Sequence, residues 1–154
     1  MRPFEEVVAE HGPVVMRVCR AWLGGTDAED AWSETFLSAL RAYPQLRPDS
    51  NVRGWLVTIA HHKAIDLLRV RARRPAPTSH PPELPTSERP PLDEELRAAL
   101  DALAPKQRGA VIYRYLADLS YADIGELLDC SPPAARRSAS DGIAKLRELY
   151  PKGR

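Results

Sequence analysis

The residues best able to do chemistry in this sequence are charged, and they cluster by sign. Asp27, Glu29, Asp30 and Glu34 fall within residues 26–34 with no basic residue among them, a local net charge of −4. Lys63, Arg69, Arg71, Arg73 and Arg74 against Asp66 give residues 61–74 a net charge of +4. Arg136, Arg137, Lys145, Arg147, Lys152 and Arg154 against Asp141 and Glu148 give residues 131–154 the same value. Any one such run is ordinarily a solvated helix face. Two basic runs, one in each half of the chain, suit a polyanion gripped at two places. The acidic run suits a different partner, a basic or polar protein surface. Covalent chemistry has no comparable signature. The 154 residues contain no phosphate-cradling glycine loop, no H-E-x-x-H and no nucleophile–base spacing, so no catalytic residue is expected. Cys19 and Cys130 lack C-x-x-C or Cys/His spacing and read as reduced, half-buried thiols. His61 and His62 are adjacent, so on a helix they point in different directions. Neither a metal site nor a cofactor is expected.

The whole-chain composition hides this pattern. Net charge is +1, which alone would not mark a nucleic-acid binder. With 44% hydrophobic and 28% charged residues, the chain has the composition of an ordinary globular protein. No run of about 18 apolar residues exists, so no membrane insertion is expected. The opening MRPFEEVVAEHG is acidic and lacks an apolar stretch, unlike a secretory signal, which leaves the cytoplasm as the expected location.

The elements that must position these charges read as helices. Residues 75–91 hold seven of the 15 prolines, a density that no helix or central strand tolerates. The segment is therefore predicted as an extended, semi-rigid linker between domains at 1–74 and 92–154. Phe4, Val7, Val8, Val14, Val15, Val18 and Trp22 recur near a period of 3.6, predicting a first helix that Gly24-Gly25 ends. Thr26 to Glu29 has the form of a capping box opening a second helix, with Ala28, Trp32, Thr35, Phe36, Ala39 and Leu40 inward. Pro44 to Asn51 reads as a loop, and about Val52 to Arg73 as a third helix. In the second half, helices are predicted over Leu92 to Leu103 and Gln107 to Leu116. Ser120 and Ser131 then each sit where a helix N-cap belongs, and Pro132 suits a first helical position. Ala135, Ala139, Ile143 and Leu146 follow at about every fourth residue. A short helix, a tight turn and a longer second helix make a helix-turn-helix. The predicted fold class is all-α: two small helical domains, the second containing a helix-turn-helix.

Four segments, in order, resemble the extracytoplasmic-function (ECF) group of bacterial sigma factors. FEEVVAEHGPVVMRVCRAWLG is similar to the family's opening helix, and DAEDAWSETFLSALRAY to its D-A-E-D-L-V-Q-E-T-F-L-x-A-W segment. NVRGWLVTIAHHKAIDLLRVRARR resembles R-x-W-L-x-x-I-A-x-N-x-A-I-D-x-x-R-R. LAPKQRGAVIYRYLADLSYADIGELLDCS resembles the segment carrying L-P-x-x-Q-R and S-Y-x-E-I-A-x-x-L-x-C-S. The resemblance implies a transcription initiation factor that binds core RNA polymerase, recognises two promoter elements and assists opening. It implies that Asp27, Asp30, Trp32, Glu34 and Thr35 meet the clamp helices of the largest polymerase subunit, and that the chain also meets the polymerase flap. It implies that Asp49, Ser50 and Asn51 hold an unstacked base of the minus-ten element, with Arg53, His62, Lys63, Arg69 and Arg71 on the same strand. It implies that Arg136, Arg137, Ser138 and Ser140 read the minus-thirty-five duplex, with Lys106, Arg108 and Tyr121 on its phosphates. An anti-sigma factor is the implied inhibitor. Because the chain ends soon after the second helix of the helix-turn-helix, no C-terminal sensory extension is expected.

The chain departs from the family pattern in three places. The recognition helix reads Ala134-Ala135-Arg136-Arg137-Ser138 where the family has T-V-K-S-R. Asp141 and Gly142 follow where R-A-R is usual, an arrangement expected to weaken that helix and its DNA contact. His61-His62 replaces Arg-Asn. The competing reading, a stand-alone helix-turn-helix regulator, leaves the acidic helix and the loop at 44–51 without a use.

Overall fold

A computed structural model describes residues 2–73 and 94–150, so the linker expected at 75–91 and residues 151–154 lie outside it. Seven α-helices account for most of these residues: α1 Phe4–Trp22, α2 Gly25–Ala42, α3 Val52–Arg73, α4 Glu94–Asp101, α5 Pro105–Val111, α6 Tyr121–Leu128 and α7 Pro132–Leu149. A 3-10 turn, Tyr43–Gln45, follows α2, and a π-helical turn, Ile112–Leu116, extends α5. There is no strand among the described residues, in keeping with the all-α expectation.

Helices α1, α2 and α3 pack on one another to form the first domain. Val7, Val15, Val18 and Cys19 of α1, Ala28, Ala31 and Ala39 of α2, and Leu56, Val57, Ala60 and Ala64 of α3 are all buried there. The alanines let the helices approach closely, and Phe4 and Tyr43 close one end with ring centroids 5.2 Å apart. Burial pushes the Cys19 thiol up to about 12, so it acts as a small hydrophobe and not as a nucleophile.

The turn between α1 and α2 differs from the expected capping box. Gly24 and Gly25 both take positive φ, 71° and 61°, and reverse the chain so sharply that α2 begins at Gly25. Thr26 is therefore already helical, and no side chain caps this end. Asn51 supplies the cap at α3, its Oδ1 accepting from the Gly54 amide at 3.1 Å.

The helix-turn-helix forms as the spacing predicts. Ser120 Oγ accepts from the Asp123 amide, and Ser131 Oγ from the Ala134 amide. Asp129 takes the left-handed conformation that ends α6, and the Cys130 amide returns to the Gly125 carbonyl at 2.8 Å. Gly142 does not simply weaken α7, as the sequence suggested. A Cβ there would lie 2.6 Å from Val111 Cγ2 and 3.1 Å from the Gln107 carbonyl, so its absence lets α7 close on α5.

The two domains share one interface, centred on the last turn of α1. Trp22 Nε1–H donates to the Tyr113 hydroxyl at 2.9 Å, and the same hydroxyl lies 2.5 Å from His61 Nδ1. Indole can only donate, so the hydroxyl accepts from Trp22, and the tautomer of His61 sets the direction of the second bond. Burial holds the imidazole down to about 4 and therefore neutral near pH 7. Arg108 adds a second tie, donating to the carbonyls of Ala21 and Trp22 at 3.0 and 2.9 Å and pairing with Asp101 at 2.5 Å.

Two stability measurements follow from this packing. A Cβ at Gly125 would run into the Cys130 backbone carbonyl. Gly125→Ala is therefore expected to cost about 1–3 kcal/mol in denaturant unfolding, against the gain of about 1 kcal/mol that alanine brings to an open helix. A stabilised variant would contradict the geometry. His61 has its folded-state pKa below the ordinary value, so the unfolded chain takes up its proton first. Its contribution is complete above about pH 6.5 and declines as pH falls toward 4, by about 2 kcal/mol between pH 7 and pH 5. His61→Gln is expected to flatten that profile, and an unchanged slope would show that the imidazole is not its source.

Candidate polymerase and nucleic-acid interfaces

Helix α2 buries a narrow stripe of Ala28, Ala31, Thr35, Phe36 and Ala39 and leaves the rest of its surface open. Asp30 and Glu34 are one turn apart on the exposed side. Leu37 and Leu40, 46% and 51% exposed, continue that side. The sequence reading put Leu40 in the core and gave Leu37 no role. Both follow the carboxylates at helical spacing, which is the signal that reading passed over. The face is thus acidic at one end and apolar at the other, as a protein partner would require.

Two residues expected on this face are used internally. Thr35 is fully buried and its hydroxyl donates to the Ala31 carbonyl at 2.7 Å, so it presents nothing to a partner. Trp32 is half-buried, packs on Phe36 at 4.6 Å and donates to the Gly12 carbonyl. Asp27 pairs with Arg71 at 3.5 Å. An expected polymerase contact and an expected DNA contact therefore neutralise each other at the start of α2.

The residues expected at the minus-ten strand lie along the loop before α3 and on that helix. Asp49 is exposed, with Arg47 at 4.0 Å, and Ser50 is half-buried. Asn51 combines an exposed position with its capping bond. His62 is exposed, whereas Lys63 is half-buried. Arg69 is exposed and pairs with Asp66 at 3.7 Å. Arg71 turns back to the Leu23 carbonyl at 3.2 Å, so in this arrangement it serves the end of α1. Arg53 reaches into the second domain, donating to the Ala117 carbonyl and lying 3.7 Å from Asp118. Between the domains is a cleft of about 360 Å³. Asn51, Gly54, Trp55, Thr58 and His62 form one wall, and Leu119, Asp123, Glu126 and Leu127 the other.

The recognition helix α7 presents Arg136, Arg137 and Ser140 at its surface, with Ser138 half-buried. The Arg136 guanidinium lies 5.2 Å from the Tyr121 ring centre and that of Arg114 4.6 Å, which brings α6 and α7 together beside the basic pair. Asp141 is exposed on the same helix. Lys106 is exposed at the start of α5. Arg108 corrects the sequence reading: it is 8% exposed and stacks on Trp22 at 4.6 Å, so it cannot touch a phosphate in this arrangement. Its position on a helix beside Lys106 could not reveal that, because the two carbonyls that hold it lie 86 and 87 residues away.

Residues 7–74 match the family model for Sigma-70 region 2, and residues 93–146 that for Sigma-70, region 4. The chain is 36% identical over 153 residues to the RNA polymerase sigma factor CarQ of Myxococcus xanthus, covering 95% of this chain and 88% of that protein. It is 30% identical to the ECF RNA polymerase sigma factor SigE of Mycolicibacterium smegmatis, covering 99% of this chain and 63% of that longer protein. The fold matches the sigma factor RpoE of Bartonella quintana, solved in complex with the anti-sigma factor NepR. The TM-score is 0.77 with 23% identity, covering 98% of each chain. With both region models matched in order along a chain that aligns almost end to end with CarQ, this protein belongs to the ECF group of sigma-70 factors.

Proposed function

We infer that the exposed face of α2 docks on the clamp helices of the largest polymerase subunit. The loop at 44–51 with the outer side of α3 takes the non-template minus-ten strand, and α7 enters the major groove of the minus-thirty-five element. The chain is an ECF sigma factor, a transcription initiation factor that binds core RNA polymerase and recognises both promoter elements. The observation that carries the assignment of faces is the charge division. Asp30 and Glu34 stand with Leu37 and Leu40 on α2, whereas Arg136 and Arg137 stand at the exposed start of α7. The first suits a protein surface and repels phosphate, and the second suits DNA.

The mechanism of opening is one of binding. A base that leaves the duplex costs a few kcal/mol of stacking, which is offset where short polar side chains accept its exposed edge. Asp49, Ser50 and Asn51 are of that type, and they sit on a loop with the partly exposed Trp55 nearby. In the second domain, Arg136 or Arg137 pairs with guanine in the groove, while Lys106 holds phosphate and sets the register. Tyr121 supports Arg136 by stacking and is not itself a phosphate contact in this reading.

The chain is proposed to work in the cytoplasm, where core polymerase and promoters are found; no described helix is long and apolar enough to cross a membrane. Control by an anti-sigma factor is proposed on the model of the RpoE–NepR pair, with the α2 face as the surface to be covered.

The test is competition with the housekeeping sigma factor for purified bacterial core polymerase. Asp30→Arg with Glu34→Arg is expected to lose tenfold or more in affinity while keeping its helical circular dichroism, since both side chains are exposed. Unchanged competition would remove α2 as the docking face. Arg136→Ala is expected to weaken binding to minus-thirty-five duplex by about 1–3 kcal/mol and to relax preference at one base pair. A uniform loss across sequences would make it a phosphate contact.

A further inference from the structure

Asp141 stands in the recognition helix where the family pattern has arginine, and the packing of that helix holds it on the open side. Helix α7 is seated on α5 through a buried stripe of Ala135, Ala139 and Gly142. The close approach of Gly142 to Val111 Cγ2 and the Gln107 carbonyl fixes the rotation of α7, because turning the helix would carry a larger neighbour into that contact. Asp141, next to Gly142 in sequence, is therefore exposed, one helical turn beyond Arg137. The side chains near it on the helix are short: Ser138, Ser140 and Ala144. It also borders a groove with Ala104 and Gln107, which flank in sequence the Lys106 assigned to phosphate. Arg137 and Lys145 lie one turn to either side of it, the spacing at which carboxylate and cation commonly meet. Yet Asp141 makes no ion pair among the described residues, and Lys145 pairs with Glu148 at 3.9 Å instead. An exposed carboxylate without a cation thus shares a surface with the arginines assigned to DNA.

We propose that Asp141 is a specificity-determining residue of the minus-thirty-five contact and that it selects a cytosine. The proposal rests on α7 reading that duplex, as assigned above. Phosphate repels a carboxylate, so one that sits at the groove must find a donor on a base edge. In the major groove only the exocyclic amines donate, N4 of cytosine and N6 of adenine. Guanine presents two acceptors, N7 and O6, and thymine presents O4 and a methyl group. Adenine sets its acceptor N7 beside the amine, which repels a carboxylate, whereas cytosine has no acceptor there. Cytosine is therefore the base that Asp141 favours. One helical turn rises about 5.4 Å and one base-pair step about 3.4 Å, so this cytosine falls within about two base pairs of the guanine read by Arg136 or Arg137. In leaving the arginine pattern, the recognition helix exchanges a contact that any phosphate could satisfy for one that discriminates among bases, and it binds other sequences more weakly.

The test uses the full chain bound to purified core polymerase. The probe is a DNA library in which an upstream duplex and a downstream bubble are both randomised, so that neither promoter element is presupposed. Sequencing of the retained DNA is expected to show, in the upstream duplex, a guanine and close to it a cytosine preferred about fivefold or more over the other bases. Asp141→Ala is expected to remove the preference at the cytosine alone, and to bind sites lacking that cytosine at least as tightly as wild type. Asp141→Asn is the sharper variant. An amide pairs with N6 and N7 of adenine, so the preferred base is expected to change from cytosine to adenine at the same position. Both substitutions fall at an exposed position, and the helical circular dichroism is expected to stay unchanged. A uniform gain in affinity with both variants and no change in base preference would overturn the proposal and leave the carboxylate a repellent of phosphate. Loss of the guanine preference in Asp141→Ala would also overturn it, by making Asp141 a support for an arginine. A wild type that selects bubble sequences but no upstream duplex sequence would remove the assignment of α7 itself, and the proposal with it.

Discussion

The C-terminal turn of α1 is the constraint on which the arrangement depends. A helix end leaves its last carbonyls without partners, and burying them unpaired is costly. The carbonyls of Ala21, Trp22 and Leu23 are all buried at the centre of the molecule, and arginines satisfy all three: Arg108 takes the first two and Arg71 the third. The two arginines come from different domains. Positive charge at this end also complements the helix dipole. Because Gly24 and Gly25 reverse the chain immediately afterwards, α2 starts beside the same arginines, and Asp27 completes the set by pairing with Arg71. The position of the acidic helix, the covering of Trp22 and the seating of the second domain therefore follow from how one helix ends.

That geometry explains why a chain of net charge +1 can serve partners of opposite sign. Asp27, at the start of α2, is paired with a cation, so the exposed carboxylates of the helix are Glu29, Asp30 and Glu34, the last two leading to Leu37 and Leu40, which add apolar surface. On α3, the basic residues divide in the same way. Arg71 is turned to the interior contacts and Arg53 to the second domain, and the exposed Arg69 is shared with Asp66. Formal charge counted along the sequence thus overstates what the surface offers to DNA while the domains are closed.

The local rules in the sequence predicted whatever depends on near neighbours. The period of apolar residues gave the helices, and Ser120, Ser131 and Pro132 marked the helix-turn-helix because a cap is decided within three residues. The same rule failed at Thr26, where two glycines with positive φ shifted the helix start by two residues. Among the site residues, Asp30, Glu34, Arg136 and Arg137 are exposed as a charged residue normally is. Thr35 and Arg108 are not, and each for a reason with no sequence signature. Threonine is small enough to be buried once its hydroxyl has a carbonyl, and Arg108 is drawn inward by a helix end in the other domain. Gly142 read as a weakness in α7 because the cost of glycine is local, whereas its benefit, the approach to Val111 and Gln107, is tertiary.

The interface between the domains combines a shared apolar cluster with directed hydrogen bonds. Trp22 and Tyr113 bury apolar area there, but the specific ties are hydrogen bonds: indole to phenol, phenol to imidazole, guanidinium to carbonyl. Water can replace each of these when the domains part, so the net contribution of a bond is about 0.5–1.5 kcal/mol, much less than its strength in isolation. An interface of this kind fixes one geometry closely without making it permanent, which is the behaviour of contacts between domains that move.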